Sequence, residues 1–144
     1  RARPPMTTEI VIDASATLAW AFDEDGLQAV LRPVLLEHQL TAPALWTLEL
    51  TNSLVVKQRR GVFDESRLQE IMAALGGLGV STKPTHATLP ELVRLAQLHT
   101  LSSYDAVYLD LAIETARPLL TTDRPMARAA RAAGVTLLRD PEQH

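Results

Sequence analysis

The chain has 144 residues, 47% of them hydrophobic, with no cysteine and a formal net charge of −3. This composition suits one folded globular domain and excludes a disordered chain, a disulfide scaffold and a thiolate metal site. The negative balance also excludes a simple basic coat for nucleic acid, so phosphate recognition needs a local basic patch or a cation held by acids.

No run is long and apolar enough to cross a bilayer, and no hydrophobic signal region follows Arg1 and Arg3, so a cytoplasmic location is expected. Residues 1–5 (RARPP) precede Met6 and read as an expression remnant or a disordered extension. Residues 6–144 are then the one expected domain.

Residues 9–13 (EIVID) form a short β-branched run that ends in an acid, which predicts a buried first strand. Ser15 stands where it can cap the helix that follows through Phe22. Residues 23–26 (DEDG) make a loop or the acidic first turn of a second helix reaching Gln39, which Pro33 is expected to split or kink. Residues 40–43 are a brief second strand. A long helix covers residues 45–60 and stops at Gly61, with Lys57, Arg59 and Arg60 suited to its C-terminus.

Asp64 opens another helix, which ends near Gly76 and Gly77. Residues 80–83 are a weak third strand. Thr85 or Thr88 starts a helix to about His99, with Pro90 in its first turn. Ser102 caps the next helix, which runs to about Ala116. Residues 118–122 form the fourth strand, followed at once by Asp123. Residues 124–133 are helical and stop at Gly134, residues 135–138 are the fifth strand, and residues 139–144 are a polar tail.

Short apolar strands alternating with helices predict an α/β fold with a parallel sheet covered on both faces. In such sheets the site forms beyond the carboxyl ends of the strands, where strand order reverses. Asp13 and Asp123 each follow a strand, and they share one crevice if the first and fourth strands are neighbours. Two helix acids join the candidates. Asp105 shares a face with Leu101, Tyr108, Leu109 and Ala112. Glu49 stands among Leu45, Leu48, Val55 and Val56 at helical spacings, with Asn52 and Ser53 rather than a cation at i+3 and i+4.

Taken singly, Asp13, Asp105 and Asp123 each have an ordinary explanation as helix-capping groups. Together, four convergent carboxylates repel one another and raise their pKa values, and a hard divalent cation resolves that repulsion. An all-oxygen shell suits Mg²⁺ or Mn²⁺, and paired ions of this kind serve in-line attack on a phosphodiester. Asp110, with Glu114 four residues on, reads as a surface acid. His38, His86, His99 and His144 have no ligand spacing to one another, and the glycines at 76, 77 and 79 lack the Lys-Ser/Thr of a phosphate loop. Arg124, Arg128 and Arg131 recur along the last helix, and Arg124 and Arg128 are candidates to grip RNA phosphates; Lys57, Arg59 and Arg60 are a second basic patch. A dehalogenase-like phosphatase would want an acid where Ser15 stands, and a receiver domain would want a late Lys, yet none follows Lys83.

Four motifs, in order, resemble the PIN-domain ribonucleases of the VapC toxin type. Residues 11–15 (VIDAS) place Asp13, residues 43–54 (PALWTLELTNSL) place Glu49 with Asn52 as its companion, residues 103–108 (SYDAVY) place Asp105, and residues 120–123 (LTTD) place Asp123. The resemblance covers residues 10–139. It implies a single PIN-like domain with sheet order 3-2-1-4-5, and Mg²⁺- or Mn²⁺-dependent endoribonuclease activity as the toxin of a type II toxin–antitoxin pair. It further implies a homodimer and a cognate VapB-like antitoxin whose tail fills the acidic groove. Asp13 and Asp105 would be the principal metal ligands, Glu49 and Asp123 would support them or hold a second ion, and Ser15, Thr121 and Thr122 would be polar neighbours. The other reading is a catalytically silent PIN-fold module that holds a partner peptide or RNA.

Overall fold

A computed structural model describes residues 8–143. The extension expected at residues 1–5 lies outside the described residues, as do Met6, Thr7 and His144. Strand β1 (Thr8–Ile12) runs centrally and pairs in parallel with β2 (His38–Pro43) on one side and β4 (Leu119–Leu120) on the other. Strand β3 (Ser81–Lys83) extends the sheet beyond β2, giving the order β3-β2-β1-β4. In β1, successive residues Ile10, Val11 and Ile12 are all buried. Neighbouring side chains on a strand point to opposite faces, so the sheet is covered on both.

The expected fifth strand shrinks to a single parallel bridge, Leu119↔Leu137, which continues the expected order at the outer edge of β4. Two hydrogen bonds hold it, from Leu119 N–H to the Thr136 carbonyl and from Leu138 N–H to the Leu119 carbonyl. With β4 only two residues long, there is no ladder for a longer fifth strand to join.

Among the described residues, seven α-helices connect and cover these strands: α1 (Ala14–Ala21), α2 (Leu27–Glu37), α3 (Leu45–Arg59), α4 (Glu65–Gly77), α5 (Leu89–His99), α6 (Ser103–Thr115) and α7 (Arg124–Ala132). A short 3-10 turn (Glu24–Gly26) joins α1 to α2. Pro33 neither splits nor ends α2; the bond it cannot donate would have gone to the carbonyl of exposed Ala29, where water can serve instead. Thr88, not Thr85, caps α5, with a complete capping box to Glu91.

The main core joins β1, β2 and β4 to α6 and α7 through Ile10, Val11, Leu109, Leu119 and Met126. A second apolar cluster, Ala21, Leu50, Leu54, Ile71 and Leu75, seals α3 and α4 onto α1. The inward side of α3 is therefore Leu50 and Leu54, whereas Leu48 is 68% exposed. Glu49 sits beside the buried stripe rather than within it, which corrects the expected apolar face around it. Among the described residues no helix is long and apolar enough to cross a membrane.

Candidate functional site

Strand order reverses between β1 and β4, and the chain leaves those two strands at Asp13 and at Thr121. Three of the four candidate acids stand at helix N-termini: Asp13 is the N-cap of α1, Asp123 the N-cap of α7, and Asp105 lies in the first turn of α6. Unpaired N–H groups and the positive end of the helix dipole favour carboxylates there. That is how one neighbourhood tolerates several negative charges.

Asp13 is 3% exposed. Its Oδ1 accepts from the Ser15 hydroxyl at 2.7 Å and from the Ala16 N–H at 2.9 Å, and its Oδ2 accepts from the Thr121 hydroxyl across the switch point. Thr121 Oγ1 accepts from the Asp123 N–H at 3.0 Å, and Ser15 Oγ accepts from the Thr122 N–H at 3.3 Å. Asp123 Oδ2 then accepts from the Met126 N–H at 3.0 Å. One hydrogen-bonded net thus ties the end of β1 to the end of β4. Thr122 joins it through its backbone. Burial pushes the Asp13 carboxyl up to about 6, against the pull of Thr121, Ala16 and Ser15 and with repulsion from Asp105 adding to it.

Ser15 does not cap α1. The extended backbone of Asp13 (φ −92°, ψ 171°) is the capping conformation, and Ser15 already lies inside the helix. Its hydroxyl serves Asp13 instead.

At α6 the expected capping box is half made. The Asp105 N–H donates to Ser102 Oγ at 3.1 Å, but the Asp105 carboxylate returns no bond to Ser102. Its oxygens are left for the crevice. Burial, then repulsion from Asp123 and from Glu49, raise the Asp105 carboxyl, and Ser102 partly offsets this. Asp105 thereby feels Asp13, Glu49 and Asp123 together, which brings acids from four separate segments of the chain into one field.

Glu49 enters from α3. Trp46, one turn earlier, donates its Nε1–H to Thr17 Oγ1 at 3.0 Å, and Thr17 Oγ1 donates to the Asp13 carbonyl at 2.7 Å. This relay fixes α3 to the start of α1. Glu49 Oε1 is buried without a hydrogen-bond partner, and so is the hydroxyl of Tyr108 on α6. Burial and then the facing Glu49 carboxylate push the Tyr108 phenol far above its ordinary value. Tyr108 was visible in the sequence only as one more member of the Asp105 face. The signal that singles it out is that a buried phenol needs an acceptor.

The remaining candidates separate. Asn52 is exposed, and among the described residues no side-chain hydrogen bond ties it to the acids. Arg124 is exposed at the first position of α7 and makes no ion pair among the described residues. Arg128 is engaged: its guanidinium bonds Glu142 through Nε at 3.2 Å and Nη2 at 3.0 Å. Arg131 bridges Asp140 at 2.6 Å and also reaches Glu142. The acidic tail thus lies on the basic face of α7. Asp110, expected at the surface, is half-buried; burial, then Glu114 and Glu91, raise its carboxyl.

Among the described residues, no three His, Cys, Asp or Glu side chains stand close enough together to enclose a metal ion as they are placed. The donor set still fits a hard cation. It is all oxygen, it carries crowded charge, and it includes the orphaned Glu49 Oε1. A concavity of about 840 Å³ lies elsewhere, against Trp20, Arg32, Leu36 and Leu78, and holds none of the four acids.

Residues 10–132 match the PIN domain family. Ribonuclease VapC3 of Pyrobaculum aerophilum is 30% identical over 122 residues, spanning 83% of this chain and 92% of the relative. Ribonuclease VapC1 of Mycobacterium tuberculosis is 34% identical over 124 residues, spanning 84% of this chain and 90% of the relative. The crystal structure of PAE2754 from Pyrobaculum aerophilum is similar with a TM-score of 0.65 at 25% identity, over 95% of this chain and 93% of that one.

Proposed function

The chain belongs to the PIN-domain family, with VapC ribonucleases among its relatives, and on that premise we propose that it is a divalent-metal-dependent endoribonuclease, the toxin of a toxin–antitoxin pair. The observation that carries the proposal is the charge arrangement. Asp13 is buried with its carboxyl raised to about 6, and Asp105, itself raised by Asp123 and Glu49, repels it. No cation of the chain neutralises this group among the described residues. Crowded, desolvated carboxylates are costly to a fold and are accounted for by a cation that they share.

Asp13 and Asp105 would hold Mg²⁺ or Mn²⁺, with Glu49 and Asp123 supporting them or holding a second ion. When bound, the cation supplies a water of lowered pKa and neutralises charge that develops on phosphate oxygens. The chain's own residues do the rest. Thr121 and Ser15 orient the Asp13 carboxylate, and Ser102 supports Asp105. Asn52 and the Thr122 backbone would line the approach, and exposed Arg124, next to Asp123 in the chain, would hold an RNA phosphate. The partners are RNA and a VapB-like antitoxin whose tail fills the acidic groove. The protein acts in the cytoplasm as a homodimer, for which exposed Leu89 and Val93, one turn apart on α5, offer apolar surface. Residues 6–144 are its single PIN domain.

The test is RNA cleavage in Mg²⁺ or Mn²⁺ by wild type, Asp13→Ala and Asp105→Asn. We expect each variant to lose at least about a hundredfold in rate, in line with removing a positioned charge from a catalytic site. Undiminished cleavage in both contradicts the assignment. The second reading, a silent module that holds a peptide or RNA, draws on the spread of the acids, which as placed do not enclose an ion. It predicts binding without cleavage.

A further inference from the structure

Two buried side-chain oxygens among the described residues lack any hydrogen-bond partner, Glu49 Oε1 on α3 and Tyr108 Oη on α6, and the two side chains are near enough for the Glu49 carboxylate to act on the phenol. Tyr108 is 1% exposed, among the largest fully buried side chains of the protein. Leaving either group unpaired carries the full desolvation penalty of that group. A structure that orphaned both, side by side, would bear that cost twice. A hydroxyl has a donor to give and a carboxylate has only acceptors. The pair is therefore complementary and lacks only alignment.

The position of Tyr108 adds to this. It lies three residues after Asp105, so the two share a face of α6 and are one turn apart. The helix that presents Asp105 thus also presents a phenol to Glu49, which comes from a different segment. Asp13 has Thr121, Ser15 and the Ala16 N–H to orient it, and Asp123 has the Met126 N–H. Of the four, Glu49 is the acid with a buried carboxylate oxygen that no hydrogen bond supports among the described residues. Its anchor on the backbone side, Trp46 to Thr17, fixes α3 but leaves the carboxylate free to turn.

We propose that Tyr108 is the positioning residue for Glu49, its hydroxyl donating to one carboxylate oxygen and so turning the other toward Asp105. This rests on the function proposed above and extends it to a residue outside the acid set. Tyr108 touches no substrate; it acts through Glu49. Partners that orient a metal-binding carboxylate are worth about 10–100-fold in metal affinity.

The experiment is calorimetric titration of Mn²⁺ into wild type, Tyr108→Phe, Glu49→Gln and the double variant, with Asp13→Ala as control. Tyr108→Phe keeps the ring and its packing while removing the donor. We expect it to weaken Mn²⁺ about tenfold, and to add nothing further in the Glu49→Gln background. Affinity unchanged in Tyr108→Phe overturns the inference, as does an equal loss with and without Glu49, which marks a general packing effect. Wild-type uptake that Asp13→Ala abolishes keeps the metal reading standing even when Tyr108 has no effect. No uptake by wild type overturns that reading and this inference together. A second measurement covers a Tyr108→Phe chain that does not fold. In a Tyr104→Phe variant, Tyr108 is the only tyrosine, and its resonance Raman doublet reports whether the phenol donates. A donor signature that strengthens with Mn²⁺ supports the assignment, and a phenol that donates in neither state overturns it.

Discussion

Asp13 caps a helix and also carries the most buried charge of the crevice. Its two oxygens accept three hydrogen bonds, yet burial outweighs them and the carboxyl titrates at about 6 rather than near its ordinary 3.8. The protonated form is therefore favoured by the fold, and the folded protein binds more protons than the unfolded chain between those two values. This group stabilises the metal-free protein most at low pH, and that contribution is lost as pH rises through about 6. The full span is about 3 kcal/mol, from about 1.4 kcal/mol per unit. Asp13→Asn should then be more stable than wild type by about 1–3 kcal/mol at pH 7.5, with the gap closing by pH 4. Urea unfolding of the metal-free proteins at both pH values checks this. A variant less stable than wild type at pH 7.5 contradicts it. Metal uptake should show the reverse trend and weaken below pH 6, because the ligand must lose its proton.

At the scale of the element, α7 and the tail that lies on it revise the basic patch. Arg124, Arg128 and Arg131 recur at helical spacing, but Arg128 and Arg131 are held by Glu142 and Asp140, which leaves Arg124, beside Asp123, as the one of the three without an ion pair among the described residues. Exposed ion pairs of this kind add little, because water and salt screen them, so RNA phosphates can compete for these arginines. In the double variant Asp140→Asn with Glu142→Gln, stability should fall only slightly. RNA binding should tighten, and the plot of log affinity against log salt should steepen by about 1.4, from about 0.7 for each of two phosphate contacts on a single strand. A slope unchanged within error shows that Arg128 and Arg131 do not meet RNA.

Across the whole molecule, what the sequence made legible follows from which forces act locally. β-branched residues 10–12, the Thr88 and Ser102 caps and the glycine stops are near-neighbour effects, and all appear in the fold. The placing of β1 beside β4 came through the family resemblance; the residues alone left it as the condition under which Asp13 and Asp123 share a crevice. The misses are long-range. The fifth strand is one bridge because β4 offers two residues to pair with, and pairing length is not written in either segment alone. The inward side of α3 was misread because α4 packs against it from outside the sheet, which drew Leu50 and Leu54 inward and left Leu48 in solvent. The tail's hold on Arg128 spans 14 residues and has no periodic signature. Tyr108 escaped notice because its meaning depends on Glu49, which comes from another helix.

The function we propose rests on one site: acids from four segments, Asp13, Glu49, Asp105 and Asp123, would together cut RNA with a divalent cation. The most direct measurement is RNA cleavage by chelator-treated protein with Mn²⁺ added back stepwise. The account predicts no cleavage after chelation and full recovery that saturates with Mn²⁺. Cleavage that persists undiminished in excess chelator contradicts it.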